Sequence, residues 1–212
     1  MNDKEKIIEE LYSRGIEYFV HFTDVNNLPS ILKNGLLTRS LLECNEMEFS
    51  YNDEERFDNV KNSISLSISF PNYKMFYPIT LKYPERDYCV LLLNALEVIK
   101  YDCAFNFTNA ANNACRSIPI EERKTYSSFL NMFQCDLNGH IRSELGLFDF
   151  EPTDPQAEIL VLEDISANCI ELAFFRTQYY YQQYKKIFMN SSIRCWFDQG
   201  YFYPRHDFQS WR

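Results

Sequence analysis

Alternating apolar and polar residues predict strands in several parts of the chain. In YFVHF, residues 18–22, every second position carries an apolar side chain, and in SISLSIS, residues 63–69, aliphatic residues alternate with serines. SIRCWF, residues 192–197, has a similar alternating character. A period of two is typical of a strand with one buried face. DYCVLLL, residues 87–93, is nearly continuously apolar and predicts a strand buried on both faces, at the centre of the sheet.

Two helices are predicted on either side of the first strand. The stretch 4–12 carries an apolar stripe at helical spacing and closes at Gly15. The second helix lies in DVNNLPSILKNG, in which Asp24 is a capping residue type, Pro29 fits the early part of a helix and Gly35 is a stop. His21 and Thr23 end the strand just before this helix, so we expect their side chains to face one pocket.

The later chain contains a second informative stretch, PTDPQAEILVLE, in which a proline-rich loop runs into an aliphatic strand, Ile159–Leu162. Glu158 stands at the joint. A carboxylate there is costly if buried alone and natural if it faces a polar site, although a solvated strand end is the alternative. Ile165–Leu172 predicts another strand and Phe174–Asn190 a helix with an aromatic and basic surface.

Two further segments leave alternatives open. FPNYKMFYPI, residues 70–79, places aromatic residues at the end of the 63–69 strand and is broken by Pro71 and Pro78. Such rings either stack on a nicotinamide or adenine ring or belong to the core. The acidic stretch Leu41–Asn62 predicts an exposed excursion that is either a lid over a ligand or a solvated loop.

Composition narrows the class of protein. The 212 residues suffice for one compact domain, 1–212, and no apolar run approaches the roughly 20 residues of a membrane span. The N-terminus is charged rather than a secretory signal, and the seven cysteines are odd in number and without a C-x-x-C pair. We therefore expect a soluble cytoplasmic protein with reduced thiols, no membrane association and no metal.

Charge and missing motifs exclude several functions. A net charge of −9 disfavours a protein that coats nucleic acid non-specifically, since such binding depends on Lys and Arg. It does not exclude an enzyme that holds a few nucleotides. Dinucleotide and P-loop glycine signatures and the G-x-S-x-G motif are missing, and the chain has five glycines in all. What remains is His21 with Thr23, the aromatic group and Glu158, on separate strands.

These residues resemble the DarT ADP-ribosyltransferases, toxins of bacterial toxin–antitoxin pairs that attach ADP-ribose from NAD to DNA bases. The resemblance is carried by HFTDVNNLPSILKNGLL, FPNYKMFYPI, PQAEILV and, more loosely, SIRCWF. It implies an α+β, single-domain ADP-ribosyltransferase-like fold with central, twisted, mostly antiparallel sheets flanked by helices. It also implies NAD as the ADP-ribose donor, single-stranded DNA as acceptor, and an antitoxin partner with a macrodomain.

The same resemblance implies the site residues. Catalysis falls to Glu158 and to Asn72, which stands where many members of the family carry an arginine. The residues expected to bind NAD are His21, Thr23, Asn27, Ile31, Gly35, Leu36, Tyr73 and Tyr77. Met75 is expected at the nucleic acid. Arg116, Arg123, His140 and Arg142 are expected there too, because the segment 116–149 occupies the place of the family's substrate loop.

Chemistry supports this assignment, because breaking the nicotinamide–ribose bond builds positive charge on the anomeric carbon, as in glycoside hydrolysis. Glu158 would stabilise that cation and accept a proton from the attacking base. Three alternatives are kept: the same transfer to RNA or protein, an RNA 2′-phosphotransferase, and a non-enzymatic binding module with its interface near Tyr179–Tyr184.

Overall fold

The structure is a computed structural model that describes residues 1–44, 62–134 and 138–211. Its centre is a seven-stranded sheet with the order β4-β5-β2-β1-β3-β6-β7. The strands are β1 (Tyr18–Asp24), β2 (Ile64–Ile68), β3 (Tyr88–Asn94), β4 (Cys103–Asn106), β5 (Glu158–Val161), β6 (Ile170–Phe175) and β7 (Arg194–Phe197). Neighbouring strands are antiparallel except for β6 and β7, which are parallel. The expected α+β architecture with a mostly antiparallel sheet is confirmed.

Strand β2 changes partner along its length, and this change opens the sheet. Ile64 to Leu66 pair with β5, whereas Ser67 and Ile68 pair with Val20 and Phe19 of β1. Beyond Val20, β1 continues to pair with β3 but has no ladder partner in β2. The two halves of the sheet therefore diverge on either side of Ser67.

Helices cover both faces of the sheet. They are α1 (Asp3–Arg14), α2 (Leu28–Asn34), α3 (Arg39–Cys44), α4 (Tyr73–Lys82), α5 (Ala95–Val98), α6 (Asn113–Arg116), α7 (Tyr126–Asn131), α8 (Arg142–Leu145) and α9 (Gln178–Tyr184). Helices α1, α2, α5, α7 and α9 enclose the larger apolar core on one face. On the other face, α4 and the turn Gly200–Phe202 cover a smaller, aromatic core, in which Phe22 and Phe76 stack with ring centroids 4.4 Å apart.

Local sequence signals explain the first two helices. Helix α1 begins with a capping box between Asn2 and Glu5 and ends at Gly15 in the left-handed conformation. Asp24 accepts a hydrogen bond from the backbone N–H of Asn26 and starts a 3-10 turn that leads into α2, and Gly35 ends α2. The predicted helices and stops in this part of the chain are confirmed.

Two predictions about elements were wrong. The strand expected over Ile165–Leu172 begins only at Ile170, because Ser166 caps a 3-10 turn over Ala167–Cys169, and it runs on to Phe175. The helix expected from Phe174 therefore starts at Gln178.

Pro78 was expected to break the aromatic stretch and instead lies inside α4. The neighbouring Phe76 is buried in the aromatic core, and this packing outweighs the local cost of a proline in a helix. Of the predicted excursion Leu41–Asn62, residues 45–61 lie outside the described residues, and α3 accounts for its start.

The described residues contain no candidate membrane span and no candidate metal site. None of their helices is long and apolar enough to cross a bilayer. No group of three or more His, Cys, Asp or Glu side chains in the same residues is arranged to hold a metal ion.

Candidate active site

His21 spans the opening between β1 and β2. Its Nδ1 lies 3.1 Å from the carbonyl oxygen of Ser65, on the part of β2 that pairs with β5. A carbonyl oxygen only accepts hydrogen bonds, so this contact requires a proton on Nδ1 and orients the imidazole across the opening. The structure thus places His21 where the two halves of the sheet separate.

Thr23 and Asn27 lie beside each other at the end of β1. Thr23 is 2% exposed, and its Oγ1 accepts a hydrogen bond of 3.0 Å from Asn27 Nδ2. Asn27 is the last residue of the 3-10 turn that precedes α2. The strand-to-helix corner therefore brings Thr23 and Asn27 together.

Ile31, Gly35 and Leu36 form the far side of this corner. Ile31 and Leu36 are buried in the larger core. Gly35 has φ +82°, and a Cβ atom there would overlap the carbonyl oxygen of Ile165. Leu36 and Ile165 exchange two backbone hydrogen bonds of 2.9 and 2.8 Å. These residues fix the position of α2 against the chain that follows β5.

Glu158 is the first residue of β5, and its carboxylate is held by the backbone. Its Oε2 accepts a hydrogen bond of 2.8 Å from the N–H of Ala110. Its main-chain oxygen accepts from Asn106 Nδ2 at 3.1 Å, and Arg123 Nη1 donates to Asn106 Oδ1 at 2.8 Å. Asn106 is also its ladder partner in β4. The half-buried carboxylate is thus oriented by the backbone N–H of Ala110.

The pairing of β2 with β5 and with β1 determines the relative positions of Glu158 and His21. Leu66 pairs with Ile159, and the next residue of β2, Ser67, pairs with Val20. Glu158 precedes Ile159 and His21 follows Val20, so the two residues flank the partner change of β2 on strands that β2 separates. Neither position could be related to the other from local sequence alone.

The stretch FPNYKMFYPI, residues 70–79, also contacts β2 at its partner change, through Asn72. Asn72 is the N-cap of α4, accepting a hydrogen bond of 3.2 Å from Met75 N–H, and its own N–H donates to Ser67 Oγ at 3.1 Å. Tyr73 is buried, and burial together with the charge of Asp207 raises the pKa of its hydroxyl. Met75 and Tyr77 are half-buried on α4, with Tyr77 near Tyr203 at 6.2 Å between ring centroids.

Two arginines that were expected to contact the nucleic acid form hydrogen bonds within the protein. Arg123 is 6% exposed, and its Nη1 donates a hydrogen bond to Asn106 Oδ1. Arg142 donates to the main-chain oxygens of Glu151 at 2.6 Å and Phe148 at 2.8 Å, and burial lowers the pKa of its guanidinium. Contact of Arg123 and Arg142 with the nucleic acid stays a prediction, and the structure adds that both guanidiniums bond internal acceptors that the local sequence does not reveal.

The other two residues of that group differ from each other. Arg116 is exposed at the end of α6, as a surface contact requires. His140 is half-buried, with its ring 4.5 Å from that of Trp211 and Nε2 3.0 Å from the main-chain oxygen of Ser210. The structure therefore keeps Arg116 accessible and packs His140 against the C-terminal segment.

Sequence reasoning missed several residues around Glu158. Ser67, Pro71, Ala157 and Arg205 are among the residues that line a small hollow, open to solvent, beside the start of β5. Asn106 and Ala110 hold Glu158 but belong to an Asn-rich stretch without a known motif. The only signal for Ser67 was its place on the serine face of β2.

Comparisons with known proteins show which proteins share this fold. In a search of the solved structures, Thermus sp. 2.9 DarT in complex with NAD+ matches with a TM-score of 0.54 at 14% identity, covering 88% of this chain and 98% of that chain. Thermus sp. 2.9 DarT in complex with ADP-ribosylated ssDNA matches with a TM-score of 0.57 at 15% identity, covering 89% and 97%. At these identities the likeness establishes the fold.

A third structure is longer than this chain. Thermosipho africanus DarTG in complex with ADP-ribose matches with a TM-score of 0.63 at 15% identity over 88% of this chain, which spans 51% of that protein. No curated protein matches in a sequence search. The family model described as "ssDNA thymidine ADP-ribosyltransferase, DarT" matches residues 20–203, most of the chain. This protein therefore belongs to the DarT family.

Proposed function

We propose that this protein transfers ADP-ribose from NAD to a thymidine base of single-stranded DNA and releases nicotinamide. The observation that carries the proposal is the fixed carboxylate of Glu158 beside the partner change of β2, in a chain that matches the DarT family model over residues 20–203. Structural relatives bound to NAD+ and to ADP-ribosylated ssDNA support both the donor and the acceptor.

Glu158 supplies the charge that this reaction needs. As nicotinamide leaves, the anomeric carbon becomes oxocarbenium-like, and a preoriented carboxylate stabilises it more in the transition state than in the ground state. The Ala110 N–H holds one carboxylate oxygen, so little reorientation accompanies the reaction. The carboxylate is also the proton acceptor for the attacking base nitrogen, which bonds to the anomeric carbon as the bond to nicotinamide breaks.

The donor side is assigned to the corner after β1. His21 bonds the NAD ribose, and Thr23 with Asn27 contacts its ribose or amide end, supported by their hydrogen bond at that corner. Ile31, Gly35 and Leu36 back the site from α2. Of the two tyrosines considered for ring stacking, Tyr77 is favoured over Tyr73, because Tyr73 is buried and Tyr77 is half-exposed.

The acceptor side has less support from contacts. Arg116 remains the accessible basic candidate there, Met75 the half-buried apolar one, and Asn72 a candidate near the reacting atoms. An unpaired or flipped base is required, because a duplex hides the ring nitrogens. RNA is the alternative acceptor. An antitoxin partner, for which the match to a DarTG protein is the support, is part of the proposal. A macrodomain in that antitoxin and a cytoplasmic location complete it.

Replacing Glu158 with glutamine tests the function. We expect transfer to single-stranded DNA to fall roughly 100-fold or more, while NAD binding by calorimetry changes little, because the lost interaction belongs to the transition state. Glu163→Gln is the matched control, since Glu163 follows the same strand, is exposed and should leave transfer intact.

Mass spectrometry of nucleosides after incubation with NAD and separate DNA and RNA pools gives both the rate and the acceptor. An adduct on RNA alone would replace the DNA assignment. Undiminished transfer by the Glu158→Gln variant would remove Glu158 from the mechanism.

A further inference from the structure

The segment 176–197 has a charge opposite to that of the rest of the chain. It contains Arg176, Lys185, Lys186 and Arg194 and no acidic residue, whereas all 30 Asp and Glu residues lie elsewhere in a protein of net charge −9. Basic residues concentrated in this way attract a polyanion locally despite the overall repulsion. The segment comprises α9, β7 and the turn between them.

Aromatic rings share this surface with the basic groups. Tyr179 is 71% exposed on α9, and Trp196 is 55% exposed on β7, the edge strand. Tyr181, also on α9, contacts Trp196 with ring centroids 5.0 Å apart, and Lys185 Nζ lies 5.5 Å above the Tyr181 ring. A contiguous exposed patch of rings, unlike a single exposed ring, marks an interaction site. We call Tyr179, Tyr181, Lys185, Arg194 and Trp196 the aromatic–basic strip.

Sheet register connects the strip to the candidate active site. Phe22 of β1 pairs with Val90, Val90 with Phe174, and Phe174 with Trp196. Trp196 is therefore level with the residue between His21 and Thr23, three strand spacings away. At about 4.8 Å per spacing this is about 14 Å, or about four nucleotides at 3.4 Å each.

We infer that the aromatic–basic strip is a second contact surface for the single-stranded DNA acceptor, separate from the pocket that holds the reacting base. This inference rests on the proposed function and adds to it the path of the strand. Unpaired bases several nucleotides from the target stack on Trp196 and Tyr179, and Lys185 and Arg194 meet the phosphates. Stacking on aromatic rings is sequence-tolerant, so the strip adds affinity without reading sequence.

Single-stranded rather than duplex DNA fits this chemistry, because the faces of unpaired bases are open to aromatic side chains. Each such base contributes about 1–3 kcal/mol by alanine substitution, and 1.4 kcal/mol is tenfold in affinity. A strand of about four nucleotides with a central thymidine extends only about two nucleotides from the reacting base and stops short of the strip, whereas one of about 16 nucleotides also covers the strip.

The experiment compares oligonucleotides of these two lengths, each with one central thymidine, in transfer and in fluorescence anisotropy without NAD. For the wild type we expect the longer strand to bind about 30-fold more tightly or better, since two stacked bases contribute at least about 2 kcal/mol. The double variant Tyr179→Ala and Trp196→Ala should raise the KM and Kd of the longer strand by the same factor, with kcat and the short strand unaffected. Tyr12→Ala is the matched control, since Tyr12 is 69% exposed on the acidic helix α1.

The charged part of the strip is tested by salt dependence. Arg194→Gln should lower the slope of log affinity against log salt by about 0.7 for the longer strand, as expected for one lost phosphate contact. Equal affinities of wild type and double variant for the longer strand would overturn the inference, including the case in which the strip serves a protein partner. DNA binding without any transfer would instead count against the proposed function and leave the strip supported.

Discussion

His21 is the residue whose environment best fits contact with NAD. Its Nδ1 contact with Ser65 fixes the ring across the opening between β1 and β2. We expect His21→Ala to weaken NAD binding about tenfold, the effect of one lost hydrogen bond of about 1.4 kcal/mol. His206→Ala is the control, because His206 is exposed near Gly146. Calorimetry measures the affinity for NAD. Equal affinities of the His21→Ala and His206→Ala variants would contradict the assignment of His21 to the donor site.

Asn72 combines a structural role that is visible with a catalytic role that is only predicted. Asn72→Ala removes the N-cap of α4 and should lower the free energy of unfolding by about 1 kcal/mol. Asn72→Asp keeps an oxygen acceptor for the Met75 N–H and should retain this stability. Urea denaturation measures the cap.

Transfer kinetics of the same two variants separate the roles. If Asn72 only caps α4, Asn72→Asp keeps the wild-type kcat. A stable Asn72→Asp variant with a much reduced kcat would show that the amide itself acts near the reacting atoms.

Among the secondary-structure elements, those with a single regular pattern of apolar residues were predicted correctly from the sequence. β1, β2 and β3 were predicted because each buries a face against a core, and α1 and α2 because caps and glycines mark their ends. The patterns failed at Ile165–Phe175, where the capping serine at 166 starts a turn inside an apolar run. No local pattern encodes the partner change of β2 at Ser67, since it depends on pairing with strands far along the chain.

Gly35 shows how one residue controls the packing of an element. A side chain there would need a strained backbone, costing about 1–3 kcal/mol, and would overlap the Ile165 carbonyl, costing about 1–3 more. We expect Gly35→Ala to lose about 3 kcal/mol or more of unfolding free energy. Gly15→Ala, with open space around it, should lose only about 1–2 kcal/mol. Equal losses in denaturant titrations would mean that the contact between α2 and Ile165 is not tight.

At the scale of the whole molecule, the C-terminal segment is tied to the loop before Glu158. Arg205 is 3% exposed and donates to the main-chain oxygens of Pro152 at 2.9 Å and Thr153 at 3.3 Å. It also forms two bonds of 2.8 and 2.6 Å to Asp207. No local pattern predicts the role of Arg205, because its main-chain bonds join segments that are more than 50 residues apart. His21, Thr23 and Glu158 could be proposed as site residues from the sequence, whereas the hydrogen bonds that hold them could not.

The buried pair of Arg205 and Asp207 makes stability depend on pH. Burial alone would raise the pKa of Asp207, but the hydrogen bonds and charge of Arg205, with the Trp211 N–H, outweigh it and lower the pKa in the folded state. Above the unfolded value of about 3.9 the pair is fully stabilising, and its contribution is lost as pH falls through the lower folded pKa, since the unfolded chain then binds the extra proton.

Comparison with Asp207→Asn isolates this effect. The variant leaves Arg205 buried without its counterion and should be less stable by roughly 3–5 kcal/mol at neutral pH. The gap to the wild type should stay constant down to about pH 4 and narrow below it. Asp102→Asn, which removes a partly exposed pair with Lys124, should cost at most about 1 kcal/mol. If the difference in unfolding free energy between wild type and Asp207→Asn persisted unchanged to the lowest pH, Asp207 would not be ionised in the folded protein. The C-terminal segment would then be held by packing and by the main-chain bonds of Arg205.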